Sequence, residues 1–164
     1  MSVIARLEKI CRAPRLQPAA VEAAAVLELL ETAVWAPNDG LREPWRFLFV
    51  DGERRKSALP RHREGPAHLV VIAKAAGDPH KQEEDLAAVY CLVQNLKLLA
   101  GEQGLAVHVH IEDWMYDPGL CQSLGIRANE RIAAVLDIGY ADVQGEAAKT
   151  EEEPPYPRLR VGEF

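Results

Sequence analysis

The sequence predicts an α+β fold, because two long helical segments occur in the same chain as four short strand-like segments. Residues 18–35 and 82–103 are rich in apolar residues over a length that suits helices. Four shorter runs are rich in β-branched and aromatic residues, or alternate apolar with polar ones, as strands do. They are 45–50, 68–74, 107–111 and 131–138. A chain of 164 residues can bury a core, so we predict a single domain over residues 1–164.

The first part of the chain is predicted to hold two helices and a strand. Residues 2–12 place apolar side chains at roughly helical spacing, and Ser2 is available as a cap. The helix over 18–35 is apolar on all sides, so we expect it to be mostly buried. The strand at 45–50 carries apolar residues on both faces, which is typical of a strand inside a sheet.

The middle of the chain is predicted to be a strand, a turn and the longest helix. The Gly-Asp-Pro run at 77–79 ends the strand at 68–74 with strong turn chemistry. The helix at 82–103 is expected to lie at the centre of the fold. Gly104 is placed to end this helix in a left-handed cap.

The strand at 107–111 alternates apolar residues with histidine, so His108 and His110 are expected on one face. Glu112 continues that face, and side chains of these types at this spacing form metal sites in some proteins. Exposed polar faces of strands have the same pattern, so metal binding is only one hypothesis for this segment. A short helix near 118–124 and a last strand complete the predicted order.

Composition and charge argue against several classes of function. The formal net charge of −6 gives no electrostatic reason to bind nucleic acid or an anionic membrane. No run approaches the roughly 20 apolar residues of a membrane helix. Residues 1–10 lack the apolar core of a signal peptide, so a cytoplasmic location is expected. Three cysteines, at 11, 91 and 121, are too few and too far apart for a disulfide framework.

The loop between the second helix and the first strand carries the most informative motifs. The chain there contains Trp-Ala-Pro-Asn at 35–38 and Glu-Pro-Trp-Arg-Phe at 43–47. Both motifs resemble those of the nitroreductase family of FMN-dependent oxidoreductases, in the version used by its short members. Further similar segments follow in the family's order along most of the chain. They are 69–73, 93–96, 104–105, 124–126 and 138–140.

The resemblance implies a nitroreductase-like fold with a central, mostly antiparallel sheet flanked by helices. It also implies an obligate homodimer, in which the C-terminal arm at 145–164 crosses to the partner subunit and adds to its sheet. The implied activity is hydride transfer from NADH or NADPH, by way of FMN, to a small flat acceptor such as a nitroaromatic or a quinone.

The resemblance further implies a set of FMN-binding residues, and no residue is assigned a catalytic role. Arginine suits the FMN phosphate because its guanidinium forms paired hydrogen bonds with phosphate oxygens. The arginines implied at the phosphate are Arg12, Arg15 and Arg158, with Arg160 as the alternate for Arg158. The residues implied near the flavin ring are Pro37, Asn38, Arg42 and Glu43.

Three aromatic residues lie in or beside the same motifs, at Trp35, Trp45 and Phe47. Aromatic rings in such settings mostly bury apolar area. We therefore interpret all three as core packing rather than as flavin contacts.

The sequence departs from the family pattern at two places. A serine that follows two arginines in the family is not found at 11–15, and 106–112 carries side chains where members have a glycine close to the flavin. Glu112 would bring a carboxylate toward reduced flavin, which is unfavourable unless the carboxylate is paired. The alternative function is therefore a flavin-free homodimer of the same fold with a binding or regulatory role. A metal-binding dimer is a third hypothesis.

Overall fold

The computed structural model describes residues 14–51, 59, 65–75 and 77–142. The predicted helix at 2–12 and the arm at 145–164 lie outside these residues. The described elements, in chain order, are α1 (Ala23–Ala33), β1 (Trp45–Asp51), β2 (Ala67–Lys74), α2 (Pro79–Glu102), β3 (Leu105–His110), α3 (Pro118–Ser123) and β4 (Glu130–Tyr140). Two short 3-10 helices lie between them, at Asp39–Leu41 and Asp113–Tyr116.

The four strands form one sheet in the order β1-β2-β4-β3, and all its pairings are antiparallel. The pairing of β2 with β4 contains an irregularity between Val71 and Ile72. Every residue of β2 except the last is buried, as expected for a strand inside a sheet. The α+β class and the antiparallel sheet flanked by helices are therefore confirmed.

Apolar side chains cover both faces of the sheet. On one face α1 and α2 pack against the sheet, with Leu29, Leu92 and Leu136 in the shared core. On the other face Met115, from the second 3-10 helix, packs against Val70 and other strand residues. The sheet is thus covered on both faces and forms a rigid support for the loops at its ends.

Helix α2 lies at the centre of the fold, as the sequence predicts, and contacts α1, β2 and β3. It begins at Pro79, three residues before the predicted start, because the side chain of Asp78 accepts a hydrogen bond from the backbone N–H of His80 at 3.0 Å. Gly104 follows its end with φ of 73°, so the predicted left-handed cap is confirmed. None of the helices in the described part of the chain is long and apolar enough to cross a membrane.

Helix α1 is shorter and more exposed than predicted. It begins at Ala23 instead of residue 18, and Glu22 before it has an extended backbone. Further upstream, Leu16 forms a bridge with Ala141 at the end of β4. Only one side of the helix is buried, and Leu27 is 59% exposed. The prediction of a mostly buried helix is wrong for the single chain.

Strand β1 lies at an edge of the described sheet, so the described residues of a single chain do not give it the predicted internal position. It pairs with β2 on one side, and Val50 is its one fully buried residue. Trp45, Phe47 and Phe49 pack partly buried against the core under α1 and α2, while Leu48 and Val50 pack on the other face of the sheet. Trp45 and Phe47 thus have the core role predicted for them.

Candidate functional site

The loop before β1 is held in an unusual backbone conformation by Asn38. Glu43 and Leu41 have φ of 44° and 51°, in the left-handed region that non-glycine residues rarely adopt. The side-chain oxygen of Asn38 accepts a hydrogen bond from the backbone N–H of Glu43 at 3.1 Å. Its Nδ2 donates to the carbonyl oxygen of Ala36 at 3.1 Å. Asn38, expected from the resemblance to contact the flavin, therefore also braces the loop that carries it.

Replacing Asn38 with alanine should lower the free energy of unfolding by about 1 kcal/mol, because a strained loop loses both hydrogen bonds. Asn38→Asp retains the acceptor for the Glu43 N–H and should lose less than the alanine variant. Urea titration measures both values. Asn129→Ala, at an exposed position, is the matched control and should stay within about 0.5 kcal/mol of the parent. Equal losses in the aspartate and alanine variants would show that the Glu43 contact is unimportant.

Charged side chains fix the loop to α2. A guanidinium nitrogen of Arg42 donates to Asp85 at 2.6 Å, and Asp85 is 5% exposed. Lys81 donates to the carboxylate of Asp39, which holds the pKa of Asp39 below its ordinary value and raises the pKa of Lys81. Lys74 donates to the carbonyl oxygen of Arg42 at 3.1 Å. These contacts attach the loop to α2 and to β2, and Asp39 and Arg42 each have a partner of opposite charge.

Two large apolar side chains stay exposed at this loop. Trp35, in the turn after α1, is 84% exposed, so its predicted core role is wrong. Leu41, in the 3-10 helix, is 81% exposed. The helix ends at Ala33, two residues before Trp35. The predicted ring residues Pro37, Asn38, Arg42 and Glu43 therefore share one loop with an exposed apolar surface.

The one described phosphate candidate, Arg15, lies on a segment fastened to the end of β4. The backbone N–H of Asp142 donates to the Arg15 carbonyl at 2.8 Å, and that of Gln17 donates to the Tyr140 carbonyl at 2.8 Å. Leu16 packs so close to β4 that a Cβ at Gly139 would lie 3.0 Å from the Leu16 Cβ. Arg15 itself is exposed. The other phosphate candidates, at 12, 158 and 160, fall outside the described residues.

Arg15 and the loop lie at opposite ends of the sheet. The Pro44 carbonyl accepts from the backbone N–H of Lys74 at 2.9 Å, where Lys74 pairs with Glu130 at the start of β4. Arg15 lies beyond Tyr140, at the end of the same 11-residue strand. At the rise of an extended strand this separation is about 30 Å. Within the described part of a single chain, Arg15 and the predicted ring residues therefore do not lie together.

Comparison with known proteins decides the family. No protein-family model matches the chain. The chain is 33% identical over 153 residues to the NAD(P)H nitroreductase YfhC of Bacillus subtilis strain 168, a match that covers 79% of each protein. The chain belongs to the nitroreductase family. This membership confirms the resemblance and supports an oxidoreductase role.

Solved structures share the fold of this nitroreductase-family chain. A nitroreductase-like family protein from Bacillus cereus, 29% identical, matches 99% of this chain and 92% of its own with a TM-score of 0.76. An FMN-dependent nitroreductase from Clostridium difficile R20291 matches 99% of this chain and 100% of its own with a TM-score of 0.73. The second is 21% identical, so its likeness establishes the fold alone.

The three side chains of the metal hypothesis have separate partners. The Nε2 atom of His108 lies 2.9 Å from the Pro14 carbonyl oxygen. The Nε2 atom of His110 lies 3.1 Å from a carboxylate oxygen of Asp137. Glu112 accepts a hydrogen bond from the indole N–H of Trp114 at 2.6 Å. No group of three metal-ligating side chains occurs in the described ranges. The hydrogen-bond donor to Glu112 is a neutral indole, so the carboxylate keeps its charge.

The structure contains a buried His–Asp pair, His68 with Asp137, that is not among the candidate residues named from the sequence. His68 is 0% exposed and Asp137 is 1% exposed, and Nδ1 of His68 lies 2.8 Å from a carboxylate oxygen of Asp137. Their Cα atoms are partners across β2 and β4. The available signal was one polar residue inside each of two apolar strand segments, since buried polar groups need partners. In this nitroreductase-family chain the pair joins the two inner strands.

Proposed function

We propose that this chain is an FMN-dependent oxidoreductase that takes hydride from NADH or NADPH and passes it to a small flat acceptor, such as a nitroaromatic or a quinone. The loop at 37–43 carries the proposal. It is braced by Asn38 and balanced in charge, yet it leaves Trp35 and Leu41 exposed to solvent. An exposed apolar surface beside fixed polar groups suits a flat aromatic ligand. The NAD(P)H and FMN dependence of the named relatives supports the same assignment.

The side chains present fit the chemistry of FMN. Arg15 is a solvent-exposed cation on an anchored segment, and a guanidinium forms paired hydrogen bonds with a phosphate. We propose that Arg12 and Arg158 or Arg160 join it. At the other end of the sheet, Pro37, Asn38, Arg42 and Glu43 would line the ring. Bound FMN supplies the hydride chemistry, while the side chains bind and orient it.

In this proposal, the phosphate-binding arginine and the loop at the flavin ring of one FMN site come from different subunits. The separation of about 30 Å between Arg15 and the loop exceeds the span of one FMN. We therefore propose a homodimer in which the loop of one chain faces Arg15 of its partner. A second copy and its exchanged arm at 145–164 would cover two surfaces of the chain. These are the exposed side of α1, which includes Leu27, and the edge of β1. The proposed location is the cytoplasm, where NAD(P)H is available.

The decisive experiment starts with the visible absorption spectrum of purified protein after incubation with excess FMN and desalting. Retained flavin absorption, followed by oxidation of NADH or NADPH that depends on a nitroaromatic or a quinone, is the expected result. Light scattering on the same sample should give the mass of a dimer. A dimer that stays colourless would overturn the proposal in favour of the flavin-free alternative.

Replacing Arg15 with glutamine should weaken FMN binding about twentyfold, because a charge-assisted contact with the phosphate is lost. Riboflavin has the same ring and no phosphate, so its dissociation constant should change less than about twofold. Quenching of flavin fluorescence measures both. Arg127→Gln, another exposed arginine, is the control and should leave the ratio of the two constants unchanged. An equal change for both flavins in Arg15→Gln would remove Arg15 from the phosphate site.

A further inference from the structure

The segment that carries Arg15 is fastened by a side chain as well as by the backbone. Nε2 of His108, on β3, lies 2.9 Å from the carbonyl oxygen of Pro14. A carbonyl oxygen only accepts hydrogen bonds, so Nε2 must carry the proton of this bond. The carbonyl of Pro14 belongs to the planar peptide unit that joins Pro14 to Arg15. His108 therefore fixes the peptide plane immediately before Arg15.

His108 is well placed to hold this plane still. Its strand is paired with β4 in continuous register, and the Cα atom of His108 lies opposite that of Asp137. The backbone bonds at Arg15 and Gln17 hold the segment downstream of that plane. Without the His108 contact the segment keeps those bonds, but the peptide before Arg15 can rotate. An arginine on a mobile peptide loses more conformational freedom when it binds an anion.

We propose that His108 is a positioning residue that aims Arg15 at the phosphate of FMN. The proposal rests on the proposed function, because it requires FMN to be the ligand and Arg15 to contact its phosphate. His108 acts through the Pro14 carbonyl and does not itself contact the flavin. Its effect should therefore appear in the phosphate contribution to binding and not in the ring contribution.

The test compares FMN with riboflavin in variants of His108. His108→Ala should weaken FMN binding about fivefold, the value of one ordinary hydrogen bond, and should change riboflavin binding less than about twofold. His108→Gln should restore FMN binding to within about twofold of the parent, because its amide Nε2 can donate to the same carbonyl. His80→Ala is the matched control, since His80 is an exposed histidine at the start of α2.

A double variant separates positioning from general damage. When Arg15→Gln is already present, adding His108→Ala should not weaken FMN binding further, because both changes remove the same contact. Equal weakening of FMN and riboflavin binding, or additive effects of the two substitutions, would overturn the proposal for His108. Neither result would contradict the proposed function. A parent protein that binds neither flavin would instead overturn the proposed function. Far-UV circular dichroism confirms that each variant is folded before its affinities are compared.

Discussion

Replacing Asp137 with alanine should lower the free energy of unfolding by about 3 kcal/mol, the largest effect expected of any substitution considered. The buried carboxylate of Asp137 has one oxygen 2.8 Å from Nδ1 of His68 and the other 3.1 Å from Nε2 of His110. Within the described ranges, Nε2 of His68 has no hydrogen-bond partner. The bond between Nδ1 and Asp137 is therefore the hydrogen bond that this buried ring makes with the described residues. Removing the carboxylate leaves a buried polar ring without its partner, and such losses are large.

Urea titration of three variants tests this expectation. Asp113→Ala, at an exposed aspartate, is the control and should stay within about 0.5 kcal/mol of the parent. The double variant His68→Leu with Asp137→Leu should be more stable than Asp137→Ala, because the fully buried His68 ring is no longer present without its partner. A double variant that is no more stable than the single one would assign the loss to packing instead.

Replacing Glu130 with glutamine should lower the free energy of unfolding by about 1.5 kcal/mol at neutral pH. Arg46 of β1 donates two hydrogen bonds to the Glu130 carboxylate, at 3.0 and 2.7 Å, across the intervening strand β2. Paired charge-assisted bonds are stronger than neutral ones. The Arg46 side chain is 35% exposed, so solvent screening reduces the effect below that of a fully buried pair. Glu83→Gln, at an exposed position of α2, is the control and should have little effect.

The same pair should contribute to unfolding in acid. The hydrogen bond from Arg46 is the main reason that the pKa of Glu130 lies below its ordinary value of 4.5. A carboxyl whose pKa is lowered by folding stabilises the protein above its unfolded pKa, and this stabilisation is lost as pH falls through the folded pKa. The difference in stability between the parent and Glu130→Gln should therefore be full at neutral pH and shrink below pH 4.5. A difference that stays constant with pH would contradict this origin.

Local signals in the sequence were sufficient for the order of elements and for several boundaries. Gly104 predicts the end of α2, because the left-handed backbone conformation at that position costs glycine less free energy than it costs other residues. The sequence interpretation places the start of α2 three residues too late, although Asp78 followed by Pro79 is itself a helix-start pattern. The motifs at 35–38 and 43–47, with the similar segments that follow them in order, predict the family and the loop expected at the flavin ring.

The errors arose where burial depends on distant parts of the chain. Trp35 is expected in the core, yet it lies in the turn after α1 and is exposed. The apolar strand β1 is expected inside the sheet, yet the order of the described strands places it at an edge. An apolar composition indicates that a residue favours burial, but it does not identify the surface that buries it.

The sequence by itself determined the α+β class, the family and the loop that is proposed to hold the flavin ring. Only the tertiary structure decided which side chains meet. His68 and Asp137 are 69 residues apart, Arg46 and Glu130 are 84 apart, and Pro14 and His108 are 94 apart. Helix ends, turns and motifs depend on neighbours along the chain, so a linear sequence contains them directly. Contacts at these separations depend on strand order and register, and a shift of one residue turns each side chain to the other face of the sheet.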